Sequence, residues 1–318
     1  MVTELKERLS PQLSIFEWIQ YQETSQLEFG IEKTDYGACV YVPHSGVGHV
    51  EVNYRFLVDD QLLSQHLQRI GYKVDDDFFL GAMAVANNAH SEAKPRNNGY
   101  DFRKSHINGT ALFMAEFMYH KYGYHLTKNE LAAVLLHDAA EDTGIDSLVN
   151  VFPTMNEVPV EVILDGLDKV VLLKNVFGNE VADIVGRLTK PSKEYFASDH
   201  YHLKNPAGFY FWETLSPEIK DIARNIVYFG QFVKNDGTWD LSSVRIKFFD
   251  RLNNVLADWS QLDEISKFSK IGSYMRETHF FLKHLFVPAL GEEFCEVMVG
   301  VVGEVERRIG ESEMMSKS

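Results

Sequence analysis

Four ionisable side chains fall within six positions in the run His137-Asp138-Ala139-Ala140-Glu141-Asp142. Three carboxylates held this close repel one another unless a cation neutralises them, so the cluster points to a divalent metal. A His-Asp pair alone says little in a chain with 12 histidines; the Glu and Asp three and four positions after Asp138 make the pattern more specific. Upstream, His106 follows residues 91–105, a loop by composition in which Lys94, Arg96, Arg103 and Lys104 gather positive charge. Cations so placed suit phosphate groups. Downstream, Val244, Phe248, Leu252 and Val255 recur at helical spacing and leave Asp250 and Asn254 one turn apart on one side. Blander roles compete for each residue: a packed His106, a solvated basic loop, an Asp250 paired with Lys247 or Arg251.

These residues need elements to hold them. Thr127-Lys128-Asn129-Glu130 reads as a capping box, so a helix is expected from 127 to about 143, stacking His137 on Glu141 and Asp138 on Asp142, with Gly144 behind it. Further helices are expected over 11–26, 61–70, 78–90, 106–123 and 241–257. Aspartates Asp59/Asp60 and Asp75–Asp77 open two of them. Residues 36–43 and 48–57 are rich in Val, Tyr and Phe around His44-Ser45-Gly46-Val47 and read as a β-hairpin. The stripe of Phe280, Phe281, Leu285 and Phe286 reads as core.

In this order, His106, then the HDxxEDT block ending at Thr143, then Lys247-x-x-Asp250-Arg251-Leu252-x-Asn254, the chain resembles the HD-domain phosphohydrolases. Within them it is most similar to the hydrolase domain of RelA/SpoT-type alarmone enzymes and the stand-alone small alarmone hydrolases. The resemblance covers about residues 79–260 and takes in the spacing from His90 to His106 and the Leu188-Thr189-Lys190 block. It implies a mainly α fold, an HD-domain helical bundle with the β-hairpin peripheral near the N-terminus. It implies His106, His137, Asp138 and Asp250 as metal ligands, Glu141 and Asp142 as catalytic carboxylates, and Asn254 as a substrate contact, beside Lys94 and Arg96 for the phosphates. Two imidazoles and two carboxylates suit Mn²⁺, Fe²⁺ or Zn²⁺, and the resemblance favours Mn²⁺. The implied reaction removes pyrophosphate from the 3′ position of (p)ppGpp, leaving GDP or GTP. The chain departs from the family around His106, with Phe102-Arg103-Lys104-Ser105 before it and Ile107 after it. That departure keeps two alternatives open: an HD-fold phosphatase of another nucleotide or phosphorylated cofactor, and a non-catalytic protein that binds a nucleotide or neutralises a partner.

Composition narrows the rest. A net charge of −15 over 318 residues repels nucleic acid and anionic membranes, which leaves a small nucleotide substrate as the expected partner. With 45% hydrophobic residues the chain should bury a core. It divides by pattern into an N-terminal extension over 1–75, a catalytic domain over 76–260 with a long 143–249 segment, and C-terminal helices over 261–318. Two cysteines, Cys39 and Cys295, in no knuckle spacing, and a charged N-terminus without an apolar signal core favour the cytoplasm.

Overall fold

The computed structural model describes residues 30–34, 37–44, 48–55, 57–91, 93, 100–142, 166–190, 217–259 and 268–315. The helix expected over 11–26 and the loop cations Lys94 and Arg96 lie outside these residues. The described fold is mainly α with one small antiparallel sheet. Strands β2 (Gly37–His44) and β3 (Gly48–Arg55) form the expected hairpin. A third strand, β1 (Gly30–Thr34), pairs with the outer edge of β2 and was not foreseen, because GIEKT carries little β-forming pattern. Alternation gives the hairpin one inner face: Ala38, Val40, Val42, Val52 and Tyr54 are buried.

Helices α1 (Asp60–Arg69) and α2 (Asp77–Ala89) begin where their acidic residues place them. Asp59 accepts from the Leu62 amide at 2.8 Å and Asp76 from the Phe79 amide at 2.7 Å. A single π-helical turn, Arg103–Ile107, then feeds α3 (Asn108–Tyr122). Every residue from Asn108 to Met118 is buried, as expected of a helix apolar on all sides, and α3 is the central rod of the molecule. β3, α1 and α4 (Lys128–Leu136) pack around it. The capping box of α4 is complete: Glu130 accepts from the Thr127 amide at 2.8 Å and its own amide donates to the Thr127 hydroxyl at 3.1 Å.

One expectation needs correction. The helix does not run unbroken to 143; it stops at Leu136, turns through His137-Asp138, and resumes as the short α5 (Ala139–Asp142). The His137 ring takes the Val134 carbonyl at 2.7 Å, a local bond that competes with the helical ladder there.

Helix α6 (Gly166–Leu188) bends at Gly178, whose φ of 85° is one that a side chain would strain. Beyond the bend its end is tied down by Tyr228, which donates to the Leu188 carbonyl at 2.6 Å from α7 (Pro217–Gln231). Helix α8 (Leu241–Trp259) turns Phe248 and Phe249 into the core, against α3 and against α11 (Glu292–Met315). There Phe117 and Phe249 lie 5.2 Å apart between ring centroids, as do Phe248 and Phe294. Between α8 and α11 run α9 (Phe268–Phe281), a second π turn (Leu282–Phe286) and α10 (Val287–Leu290). Phe281, Leu285 and Phe286 are buried, so the aromatic stripe is core. One cluster of buried apolar side chains extends from Ala38 to Val305.

Candidate metal centre

With Phe248, Phe249 and Leu252 committed to the core, the opposite side of α8 presents Lys247, Asp250, Arg251 and Asn254 to a cleft of about 270 Å³. His106 reaches the same cleft from the π turn before α3, Asp138 from the turn after α4, and Glu141 from α5. A π turn adds a residue to the helical register and re-aims a side chain, a device common at functional sites. The fold therefore gathers His106, His137, Asp138, Asp250, Glu141 and Asn254. Asp142 belongs to α5, and its side chain lies outside the described residues.

One buried group that could hold an ion is His106, His137 and Asp250, with one donor atom from each lying within 4.8 Å of the others. Their nearest atoms are the two imidazole Nε2, 3.3 Å apart, and Asp250 Oδ1, 3.3 Å from His106 and 3.9 Å from His137. Asp138 stands outside that group but close to it, its Oδ2 3.0 Å from His106 Nε2 and 3.4 Å from His137 Nε2.

Hydrogen bonds at the other ring nitrogens decide what these atoms offer. The Ser105 carbonyl can only accept, so the Asn253 amide turns its Nδ2 toward it at 3.3 Å and must face His106 with Oδ1. That oxygen in turn requires a proton on His106 Nδ1, 3.2 Å away. His137 Nδ1 likewise donates to the Val134 carbonyl. In its neutral form each imidazole then carries its lone pair on Nε2, directed toward the other ring and toward two carboxylate oxygens; with no ion there, a proton on His106 shared with those oxygens takes its place. Such a set of acceptors fits a cation, and its mixed N/O chemistry fits a divalent transition ion.

Asn253 escaped the sequence reading, since an amide that meets its partner 147 positions away leaves no local pattern. Two glycine and aromatic contacts support it. A Cβ at Gly109 would lie 3.0 Å from Asn253 Nδ2, a tight contact that would push the amide by a few tenths of an ångström, so glycine here lets α3 approach without disturbing it. The Tyr54 hydroxyl donates to the Asn253 carbonyl at 3.4 Å, which links the sheet to the site. Asn254 donates to Asp250 Oδ1 at 2.9 Å while lining the cleft, so it orients that carboxylate.

Electrostatics follow from this crowding. Burial alone would push His106 down, but hydrogen bonds and charge from Asp138 and Asp250 outweigh it and raise the ring to about 9. Burial would raise Asp250, and Lys247, with its ammonium 2.7 Å away, holds it far below the usual carboxylate range. Burial would likewise raise Asp138, yet His137 and His106 hold it low. Glu141 is exposed as a residue, whereas its carboxyl end is the desolvated part; that burial, with Asp138 beside it, raises it to about 7 despite Lys247.

The cleft is also lined by cations that the motif reading did not assign to it, Lys190, Lys247 and Arg251, with Tyr228, Tyr274 and Phe281 among them, and Lys247 pairs with Asp250 itself. They come together because α6 ends beside Glu141, whose carboxylate accepts from the Lys190 amide, and because α9 lies across α8. Arg103, one of the four cations of the basic loop, pairs with Asp60, which also holds Asn87 and Asn108 at 3.0 Å, and this contact anchors the π turn. No helix among the described residues is long and apolar enough to cross a membrane. The chain matches no protein-family model, and no curated protein is significantly similar to it.

Proposed function

We propose that the chain is a metal-dependent phosphohydrolase of the HD type, and that its substrate is (p)ppGpp, from which it removes the 3′ pyrophosphate. One observation carries the reading: the two imidazole Nε2 atoms converge with the Asp138 and Asp250 oxygens in a cleft that Lys190, Lys247 and Arg251 also line. His106, His137 and Asp250 would hold the ion, with Asp138 as the fourth donor. A divalent ion there supplies Lewis acidity and acidifies water, and Mn²⁺ is the ion favoured by the motif order.

The chain's own groups supply the rest. Glu141, with its carboxyl raised toward neutrality, is suited to accept a proton from the attacking water. Lys247 offsets the charge of the diphosphate that leaves. Tyr228 and Tyr274 give the cleft apolar faces, which exclude water around those charges. Attack at phosphorus breaks its bond to the ribose 3′ oxygen, which takes up a proton, so the products are GDP or GTP and pyrophosphate. The test is incubation of the Mn²⁺-loaded protein with a nucleotide panel that includes ppGpp. Equimolar GDP and pyrophosphate are expected.

A second reading, a phosphatase of another nucleotide or phosphorylated cofactor, gains weight from Arg103, which the Asp60 pairing withholds from the cleft. Release of single phosphate from another member of the panel would favour it. Turnover of no member would defeat both.

A further inference from the structure

The phosphate-facing wall contains a buried donor that the reaction as described leaves unused. Arg251 is 6% exposed, with its guanidinium carbon 4.2 Å from the Tyr274 ring centroid and 4.7 Å from that of Phe281, and the Tyr274 side chain is also its hydrogen-bond partner. Its Nη2 holds Glu277 at 2.7 Å. Its Nε is buried and has no hydrogen-bond partner among the described residues. The residue lines the cleft while its Nε stays buried and unmet, a cost that an acceptor taking the place of Glu277 at the guanidinium would relieve. Beside it, Lys190 Nζ lies 3.6 Å from the other carboxylate oxygen of Glu277. Glu277 therefore spans the two cations with one oxygen each.

We propose that Arg251 and Lys190 form a binding subsite for a phosphoryl group of the nucleotide, and that Glu277 sets its affinity by competing for the same donors. Arginine suits the task because its planar fork meets two phosphate oxygens at once. The competing carboxylate gives selectivity: a weakly charged ligand does not displace Glu277 from Arg251, whereas a phosphate dianion does. Tyr274 and Glu277 both belong to α9, so the C-terminal helices take part in substrate recognition. The inference rests on the cleft being a nucleotide site but not on which bond is hydrolysed.

The experiment is calorimetric titration of GDP, and separately of inorganic pyrophosphate, into the full-length protein in the presence of chelator. The wild type is compared with Glu277→Gln, Arg251→Lys and Lys190→Met, each checked for fold by circular dichroism and for Mn²⁺ content after reloading. Glu277→Gln should bind GDP about tenfold more tightly, since one competing charge is gone. Arg251→Lys keeps a charge but loses the fork, and it and Lys190→Met should each weaken GDP by about tenfold or more, with Mn²⁺ content unchanged. Unchanged or weaker GDP binding in a folded Glu277→Gln, or full affinity in Arg251→Lys, overturns the subsite. Dependence on Glu277 seen with pyrophosphate alone overturns its assignment to the nucleotide. Should no substrate be turned over while these affinities shift as stated, the hydrolase reading fails and the subsite stands.

Discussion

At the scale of single residues, the centre depends on groups that never touch a ligand. Asn253 fixes the proton on His106 Nδ1 and so directs the Nε2 lone pair into the site. Replacing it by Leu removes the acceptor without adding a charge, and metal affinity should fall about 10–100-fold, as for other partners of ligating histidines. Asn253→Asp keeps an acceptor and should lose less; equal losses in both variants, read by metal titration, would count against the tautomer argument. Glu141 makes a different prediction. A base must be deprotonated to accept a proton, and burial raises this carboxyl to about 7, so kcat/KM should fall as pH drops through that region. A divalent ion beside it favours the carboxylate and moves the midpoint to 7 or below. Glu141→Gln should cost about 10²–10⁴ in rate, retain the metal, and show no acid limb from this group. An unchanged limb in that variant would assign the titration to another residue.

At the scale of elements, the close docking of α3 on α8 is the joint that matters. Replacing an interior helix glycine by alanine ordinarily stabilises by about 1 kcal/mol. At Gly109 the added Cβ would press on Asn253 Nδ2. Gly109→Ala is therefore expected to keep its helix content and lose metal affinity, and a variant with both stability and affinity raised would refute the close-approach argument. The same joint shows what the sequence makes legible. The caps at Asp59, Asp76 and Thr127 can be read because a cap and its amide lie within three residues. The stripe of Val244, Phe248, Leu252 and Val255 predicts which side of α8 is buried, and with it the exposure of Asp250 and Asn254 to the cleft. The break at His137-Asp138 was not legible, since it follows from one ring bonding its own backbone. Nor was the cationic wall: Lys190 arrives through the bend at Gly178 and the burial of Leu188 beneath Tyr228, events set by packing between distant segments. Motif order named the residues that converge; tertiary contact chose the cations beside them.

At the scale of the whole molecule, the donors come from three separate parts of the chain: His106 before α3, His137 and Asp138 after α4, and Asp250 in α8. An unfolded chain does not hold them together, so an ion that binds here binds the fold and stabilises it. At a free concentration one hundred times its dissociation constant, the ion adds about 2.7 kcal/mol by mass action. For a chain of this size each kcal/mol moves the melting point by roughly 2 °C, so Mn²⁺ should raise Tm by about 5 °C and chelator should reverse it. Mg²⁺, which prefers oxygen ligands and keeps its waters, should give a smaller shift at the same concentration. Asp250→Asn tests the location. It leaves the half-buried Lys247 beside a neutral group, and since breaking a fully buried pair costs about 3–5 kcal/mol, this variant's own Tm should be lowered by less than that cost would bring. The informative quantity is the difference with and without Mn²⁺, which should vanish in that variant. If the 5 °C increment persists in Asp250→Asn, the ion sits elsewhere, and the convergence of His106, His137 and Asp250 has another cause.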